Sequence, residues 1–219
     1  MTANIASPGL TYERALYAQG VEPIAGIDEA GRGALAGPVV SAAVVLPMDR
    51  SDLQERLCDV RDSKELDARQ RERCFQSITQ VAVAWAIGSA SNHEVDQLGL
   101  IPATRLSMRR ALTALDSEAH YLLLDYMILP EEERPQTSLT KGDSISLSIA
   151  AASIVAKVSR DLEMIRWDEQ IPGYGFSRHK GYGTSEHRLA LDRLGPSRLH
   201  RRSYAPVAKV CDKAHEWAD

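Results

Sequence analysis

Apolar residues in this chain fall into short runs and helix-spaced rows that take turns along its length. Ile24 to Asp28 reads as a short strand and Val39 to Leu46 as a second, buried and rich in valine. The glycine-heavy stretch Gly31 to Gly37 joins them into a hairpin with an unusual loop. Leu66 to Val81 has helical character with a charged face (Arg69, Arg71, Glu72, Arg73), and Val81 to Ile87 alternates as a third strand. Three antiparallel strands are thus predicted to open the fold. Pro102 to Leu115 carries Leu106, Met108, Leu112 and Leu115 near helical spacing, and His120 to Leu124 is an apolar run that stops at Asp125. Ser144 to Gln170 is too long for a strand. With Ile145, Ile149, Ala152, Ala156 and Ser159 on helical spacing, it is predicted as one long helix with Asp143 or Ser144 at its N-cap. Pro172 and the glycines at 173, 175, 181 and 183 end it in a loop, and Glu186 to Leu194 follows as a short helix. This order predicts an α/β sheet of mixed strand direction.

Composition narrows the class. The 219 residues, 44% hydrophobic and 26% charged, fit one globular domain with a short C-terminal extension and exclude a disordered chain. The longest apolar run, Pro38 to Pro47, is broken by Ser41 and is about half of the ~20 residues that span a bilayer. The first twenty residues lack a basic start followed by an apolar core, so a cytoplasmic address is expected, without membrane association. Cys58, Cys74 and Cys211 are odd in number and widely spaced, which predicts reduced thiols rather than a disulfide framework or a cysteine zinc site. The net charge of −4 hides a local excess: from Arg178 to Arg202, seven Lys or Arg residues face two acids, with three histidines among them. Such a segment is a nucleic-acid footprint or a solvated face.

The chemistry is concentrated in carboxylates. Asp28 and Glu29 are adjacent where the first strand is predicted to end, just before Gly31-Arg32-Gly33. Neighbouring strand residues point opposite ways, so both reach one centre only if the strand stops there, which the glycine loop favours; a pair in a surface turn is the competing reading. Asp125 closes an apolar strand, where a carboxylate is costly to bury unless paired or metal-bound. Asp143 opens the long helix, where a plain N-cap is the competing reading. Four oxygen donors without a cysteine or histidine cluster suit Mg²⁺ or Mn²⁺ rather than zinc, and two such ions can drive phosphodiester cleavage without a protein nucleophile. Ser63 and Ser153 have no histidine at a suggestive spacing and are assigned to packing or hydrogen bonding. Asp161 is assigned to a structural ion pair or the surface.

Gly26-Ile27-Asp28-Glu29-Ala30-Gly31-Arg32-Gly33 with Gly37-Pro38 resembles the opening motif of ribonucleases HII. Asp62 to Leu66, Lys141-Gly142-Asp143, Ala150 to Asp161, Tyr174-Gly175-Phe176, His179 to Thr184 and His200 to Pro206 resemble the later blocks of that family in order. The resemblance covers nearly the whole chain. It implies an α/β, RNase H-like fold, a mixed five-stranded sheet flanked by helices with a short helical C-terminal extension. It also implies a single catalytic domain over 1–219 with a basic substrate-binding segment at about 172–206. Asp28, Glu29, Asp125 and Asp143 then match the four acids that hold two divalent ions. Gly31, Arg32 and Gly33 match a turn that contacts the ribonucleotide's 2′-hydroxyl and backbone, a group only RNA carries. Tyr182 matches a tyrosine that packs on the deoxyribose at the RNA-to-DNA junction. Lys64 and Lys180 are the favoured further substrate contacts, with Lys141 and Arg202 as phosphate or scaffold contacts.

The implied substrates are RNA/DNA hybrids and duplex DNA with single ribonucleotides, cut on the 5′ side, by a monomer. Departures from the family pattern are Ala34 in place of proline, Tyr126 in place of glycine beside Asp125, and Gln97 to Leu100. Two other readings stand against this one. One is a related enzyme with specificity like the HIII sister family; the other is a binding protein that has lost catalysis.

Overall fold

The computed structural model describes residues 7–216. Its strands are β1 (Ile24–Ala30), β2 (Val39–Val45), β3 (Ala84–Ala90), β4 (Tyr121–Asp125) and β5 (Gln136–Leu139), hydrogen-bonded in the order β3-β2-β1-β4-β5. β1 runs antiparallel to β2 and β2 to β3, whereas β4 lies parallel to β1 and β5 parallel to β4. This is the predicted mixed sheet. The helices are α1 (Thr11–Tyr17), α2 (Leu53–Arg56), α3 (Ala68–Val81), α4 (Asn92–Leu98), α5 (Leu100–Thr113), α6 (Leu147–Gln170), α7 (Phe176–His179), α8 (Ser185–Leu194) and α9 (Ala205–Glu216).

Alternation along the strands sorts the core into two layers. Ala30, Ala42 and Val44 meet the alanine-rich stretch Ala150 to Ala156 of α6, with Cys74 and Ile78 of α3 beside them. On the other face Ala25, Ile27, Ala43 and Val45 meet Met108, Ala111 and Leu112 of α5. The seat of α6 depends on Gly26: a Cβ there would lie 2.2 Å from the backbone carbon of Ser148. That close approach brings the start of α6, and the turn before it, down onto the ends of β1 and β4.

Several boundaries differ from the sequence reading for local reasons. Asp67 caps α3 in a reciprocal box with Gln70, so the helix starts at Ala68. Val81 belongs to its last turn, buried with Cys74 and Ile78 at helical spacing, and the third strand begins at Ala84. The long helix begins at Leu147, capped by Ser146, whose Oγ accepts from the Ile149 N–H. Asp143 sits instead in a 3₁₀ turn, Gly142–Ser144. β1 continues through Glu29 to Ala30, two residues past its predicted end. The cysteines are free thiols, and no described helix is long and apolar enough to cross a membrane.

Candidate active site

The parallel register of β1 and β4 pairs Ile27 with Leu124, which sets Asp28 and Asp125 side by side at the carboxyl ends of the two strands. Gly26 touches α6 and Leu123 packs on Ile149 of α6, so period-two alternation turns Asp28 and Asp125 to that same face. Asp143 joins them from its 3₁₀ turn, and one oxygen of each carboxylate lies within 4.8 Å of the others. The Gly142 N–H donates to Asp125 Oδ1 at 2.7 Å, tying that turn to the strand end. Glu29, one residue further along an unbroken strand, stands outside this group. Its Oε1 accepts from Arg32 at 3.1 Å, and its Oε2 is buried without a partner.

The cluster is electrostatically unfinished. Burial, then the negative charges of Glu29, Asp125 and Asp143, push Asp28 well above the ordinary aspartate value. Burial also raises Asp125, against the pull of the Gly142 N–H, and raises Glu29 against the pull of Arg32. Lys64 stands 3.2 Å from Asp143 Oδ2; burial opposes its charge, but Asp143 and Asp62 outweigh burial and raise its pKa. Oxygen-only donors, mutual repulsion and an orphaned carboxylate oxygen together fit a hard divalent cation.

The loop after β1 is built around two buried arginines. Gly31 has φ +92°, and a Cβ there would fall 2.0 Å from Arg160 Nε. Arg160 donates from α6 to the carbonyls of Pro38, Ala36 and Lys180. Arg201 donates to the carbonyls of Gly31, Arg32 and Gly37 and to the Tyr204 hydroxyl. The Leu35 N–H donates to the Gly181 carbonyl at 2.8 Å, so the Tyr182 segment is stitched to the same loop. A cavity of about 330 Å³ results, with Asp28, Asp125, Lys64, Gly31 to Gly33 and Tyr182 in its walls.

The profile described as Ribonuclease HII matches residues 25–207. The chain belongs to the ribonuclease HII family. A ribonuclease HII from Synechococcus sp. (strain JA-3-3Ab) is 55% identical over 203 residues, which cover 93% of this chain and 90% of that one. The crystal structure of the ribonuclease H2 from Pyrococcus horikoshii OT3 has a TM-score of 0.74 at 24% identity, covering 88% of this chain and 99% of that one. Bst-RNase HIII in complex with Mn²⁺ has a TM-score of 0.66 at 22% identity, over 92% and 74% of the two chains, and at that identity attests the fold alone. Membership in the ribonuclease HII family makes the protein a metal-dependent endoribonuclease that hydrolyses the RNA strand of RNA/DNA hybrids.

The remaining residues singled out in the sequence separate into groups. Lys180 lies in an adjoining cavity of about 530 Å³ that shares Lys157 and Tyr182 with the first. Lys180 Nζ donates to the Ser177 carbonyl. Tyr126 does not crowd Asp125: its φ of +55° turns it outward, 65% exposed. Ser153 donates to Ser63 at 2.8 Å, and Asp161 accepts from Lys157 at 2.6 Å, so all three have hydrogen-bonding roles. The roles of Arg160 and Arg201 were missed. Arg160 falls on the buried stripe of α6 between Ala156 and Met164, and a charge on such a stripe was the available signal. For Arg201, next to exposed Arg202, the sequence carried none.

Two histidines of the segment from 179 to 200, His187 and His200, form a buried hydrogen-bonded pair. His187 Nδ1–H donates to the Tyr182 carbonyl at 3.0 Å, and its Nε2 faces His200 Nε2 at 3.1 Å. His200 Nδ1 accepts from the Ser197 N–H at 3.0 Å, so His200 Nε2 carries its proton and donates to His187. Burial first, then the neighbouring histidines, lower His187 to about 4 and His200 to about 3 from an ordinary 6.5. Unfolded, both take up protons more readily than folded. Their contribution to stability is therefore complete above 6.5 and declines as pH falls toward the folded values. Between pH 6.5 and 5 about 1 to 2 kcal/mol per histidine is expected to be lost. Calorimetric melting at the two pH values checks this, with His200→Phe expected to lose about half of the slope; equal slopes in both proteins would remove the histidines as its source.

Proposed function

We propose that the protein incises on the 5′ side of a ribonucleotide, in RNA/DNA hybrids and at single ribonucleotides in duplex DNA. Asp28, Glu29, Asp125 and Asp143 would hold two Mg²⁺ or Mn²⁺ ions. The observation that carries this reading is the shared cavity: Asp28, Glu29 and Asp125, the Gly31-Arg32-Gly33 turn and Tyr182 line one space of about 330 Å³, with Asp143 close to Asp28 and Asp125. When bound, such ions stabilise the attacking and leaving oxygens of the displacement. Bst-RNase HIII, a protein of like fold, crystallised in complex with Mn²⁺, in keeping with that donor set.

The chain's own part is position and selection. Gly33 lines the cavity, and a Cβ built there meets no atom within 4 Å, so nothing in the protein itself requires glycine at that point. The space it leaves suits the sugar edge of a bound nucleotide, where a 2′-hydroxyl distinguishes RNA from DNA. Arg201 holds the Gly31 and Arg32 carbonyls of this turn, and Arg160 holds those of Ala36 and Pro38 further along the same loop. The Tyr182 ring lies over the cations Arg160 and Lys157, at 5.3 and 5.6 Å, which orients it at the cavity wall as a surface for a deoxyribose.

The test is cleavage of a labelled DNA duplex with one ribonucleotide, beside an all-DNA duplex and a long RNA/DNA hybrid, with and without chelator. Incision 5′ of the single ribonucleotide, only with metal, is the expected result; cutting of the long hybrid alone would replace it with specificity of the HIII kind. Tyr182→Ala is expected to lower cutting at the single ribonucleotide about tenfold more than in the long hybrid, the lower range for loss of an aromatic stacking surface. Equal losses on the two substrates would refute the junction role.

A further inference from the structure

Among the described residues, three that are not glycine have positive φ: Tyr126 at +55°, Lys141 at +57° and Lys180 at +52°. Tyr126 and Lys141 line a cavity that holds Asp125 and Asp143, and Lys180 lines one that adjoins the carboxylate cavity at Lys157 and Tyr182. A left-handed backbone is strained for residues with a Cβ, and such strain concentrates where side chains are aimed at a ligand. Lys180 belongs to the cavity beside Tyr182. Tyr126 and Lys141 belong to another, of about 480 Å³, which shares Arg32, Lys64 and Asp125 with the carboxylate cavity. Tyr182 lines only the first of these two spaces and Tyr126 only the second, so the bound strand would pass from one tyrosine to the other across the carboxylates.

The second cavity is built from the same turn that supplies the site. The Tyr126 N–H donates to the Leu139 carbonyl at 3.0 Å, and Lys141 directly precedes the 3₁₀ turn that carries Asp143. Both side chains are therefore fixed at their roots relative to Asp125 and Asp143, while Lys141 and Tyr126 remain exposed at their tips. A tyrosine 65% exposed contributes little to packing, and its backbone strain would be relieved by glycine. A flat π-face next to a compact ammonium suits a nucleotide, with the base on the ring and a phosphate on the lysine, without choice of base.

We infer that this second cavity is a subsite for the nucleotide on the 5′ side of the cut, its base stacked on Tyr126 and its phosphate held by Lys141. The assignment rests on the function proposed above, which places the ribonucleotide at Gly31 to Gly33 and Tyr182 on its 3′ side.

The experiment is a double-mutant cycle between the protein and the substrate. Tyr126→Gly, which suits the backbone at φ +55° and so keeps the fold, is compared with wild type. The two duplexes each have one ribonucleotide, preceded by a normal nucleotide or by an abasic one. For wild type, removing the base is expected to raise KM about tenfold, within the range for one base on one aromatic ring. Tyr126→Gly is expected to show about the same rise on the intact duplex and no further rise on the abasic one, and Tyr126→Phe to behave as wild type. Rises that multiply in the variant, or a wild-type KM indifferent to the base, would overturn the subsite while leaving the function standing. A wild type that cuts neither a ribonucleotide-containing duplex nor a hybrid would overturn the function and the subsite together.

Discussion

Asparagine in place of Asp125 is expected to lower cleavage about 100- to 1,000-fold, equivalent to about 3 to 4 kcal/mol of transition-state stabilisation. Duplex affinity should stay within a few-fold of wild type. The substitution is nearly isosteric, and an amide oxygen can still accept from the Gly142 N–H that Asp125 Oδ1 now accepts at 2.7 Å. The strand end and the 3₁₀ turn therefore remain joined. What is lost is one negative charge that, with burial, already raises the pKa of Asp28. The metal-free variant is for that reason expected to melt no lower than wild type, which separates lost turnover from lost fold. Melting with and without Mg²⁺, duplex anisotropy in Ca²⁺ and single-turnover cleavage form the check. Turnover at the wild-type rate would remove Asp125 from the site.

The features legible in the sequence are those set by local pattern. Asp125 could be read because an apolar run leads up to it along β4, and Asp28 because a glycine loop follows a short buried strand. Features set by contacts distant in the chain could not. β5 is an edge strand in which only Leu139 is buried, so Gln136 to Ser138 show neither an apolar run nor alternation. Asp143 could be mistaken for the cap of α6 because aspartate caps helices as well as serine does, and only the fold shows Ser146 in that place. Glu29 was grouped with Asp28 on the premise that the strand ends there; β1 continues because Glu29 and Ala30 still pair with Ser41 and Val40 of β2, and both carboxylates nevertheless line one cavity. Arg160 acts on the Ala36 and Pro38 carbonyls more than 120 residues away in sequence and Arg201 on those of Gly31, Arg32 and Gly37 more than 160 away, and no spacing rule reaches that far.

Arg201 carries the largest expected effect on stability. Its side chain is fully buried, and burial lowers its pKa, so holding this charge inside the protein is itself unfavourable. It is offset by donation to three backbone carbonyls of one loop, those of Gly31, Arg32 and Gly37. Methionine would remove the buried charge but leave the Gly37 carbonyl without a donor, and the Gly31 and Arg32 carbonyls with only the Ala34 N–H and the Tyr204 hydroxyl, at about 1 kcal/mol or more for each carbonyl that loses the guanidinium. The net loss is expected to be about 3 kcal/mol, or a fall of about 6 to 12 °C in Tm for a chain of this size. Lysine retains the charge and lacks the fork, since one ammonium cannot occupy the separate directions of Nε, Nη1 and Nη2. Arg201→Lys is accordingly expected to lose most of the same stability. It should also raise KM for ribonucleotide-containing duplexes, because the Gly31-Arg32-Gly33 turn loses its backing. A lysine variant that melts with wild type would show that charge in this loop, rather than guanidinium geometry, is what the fold requires.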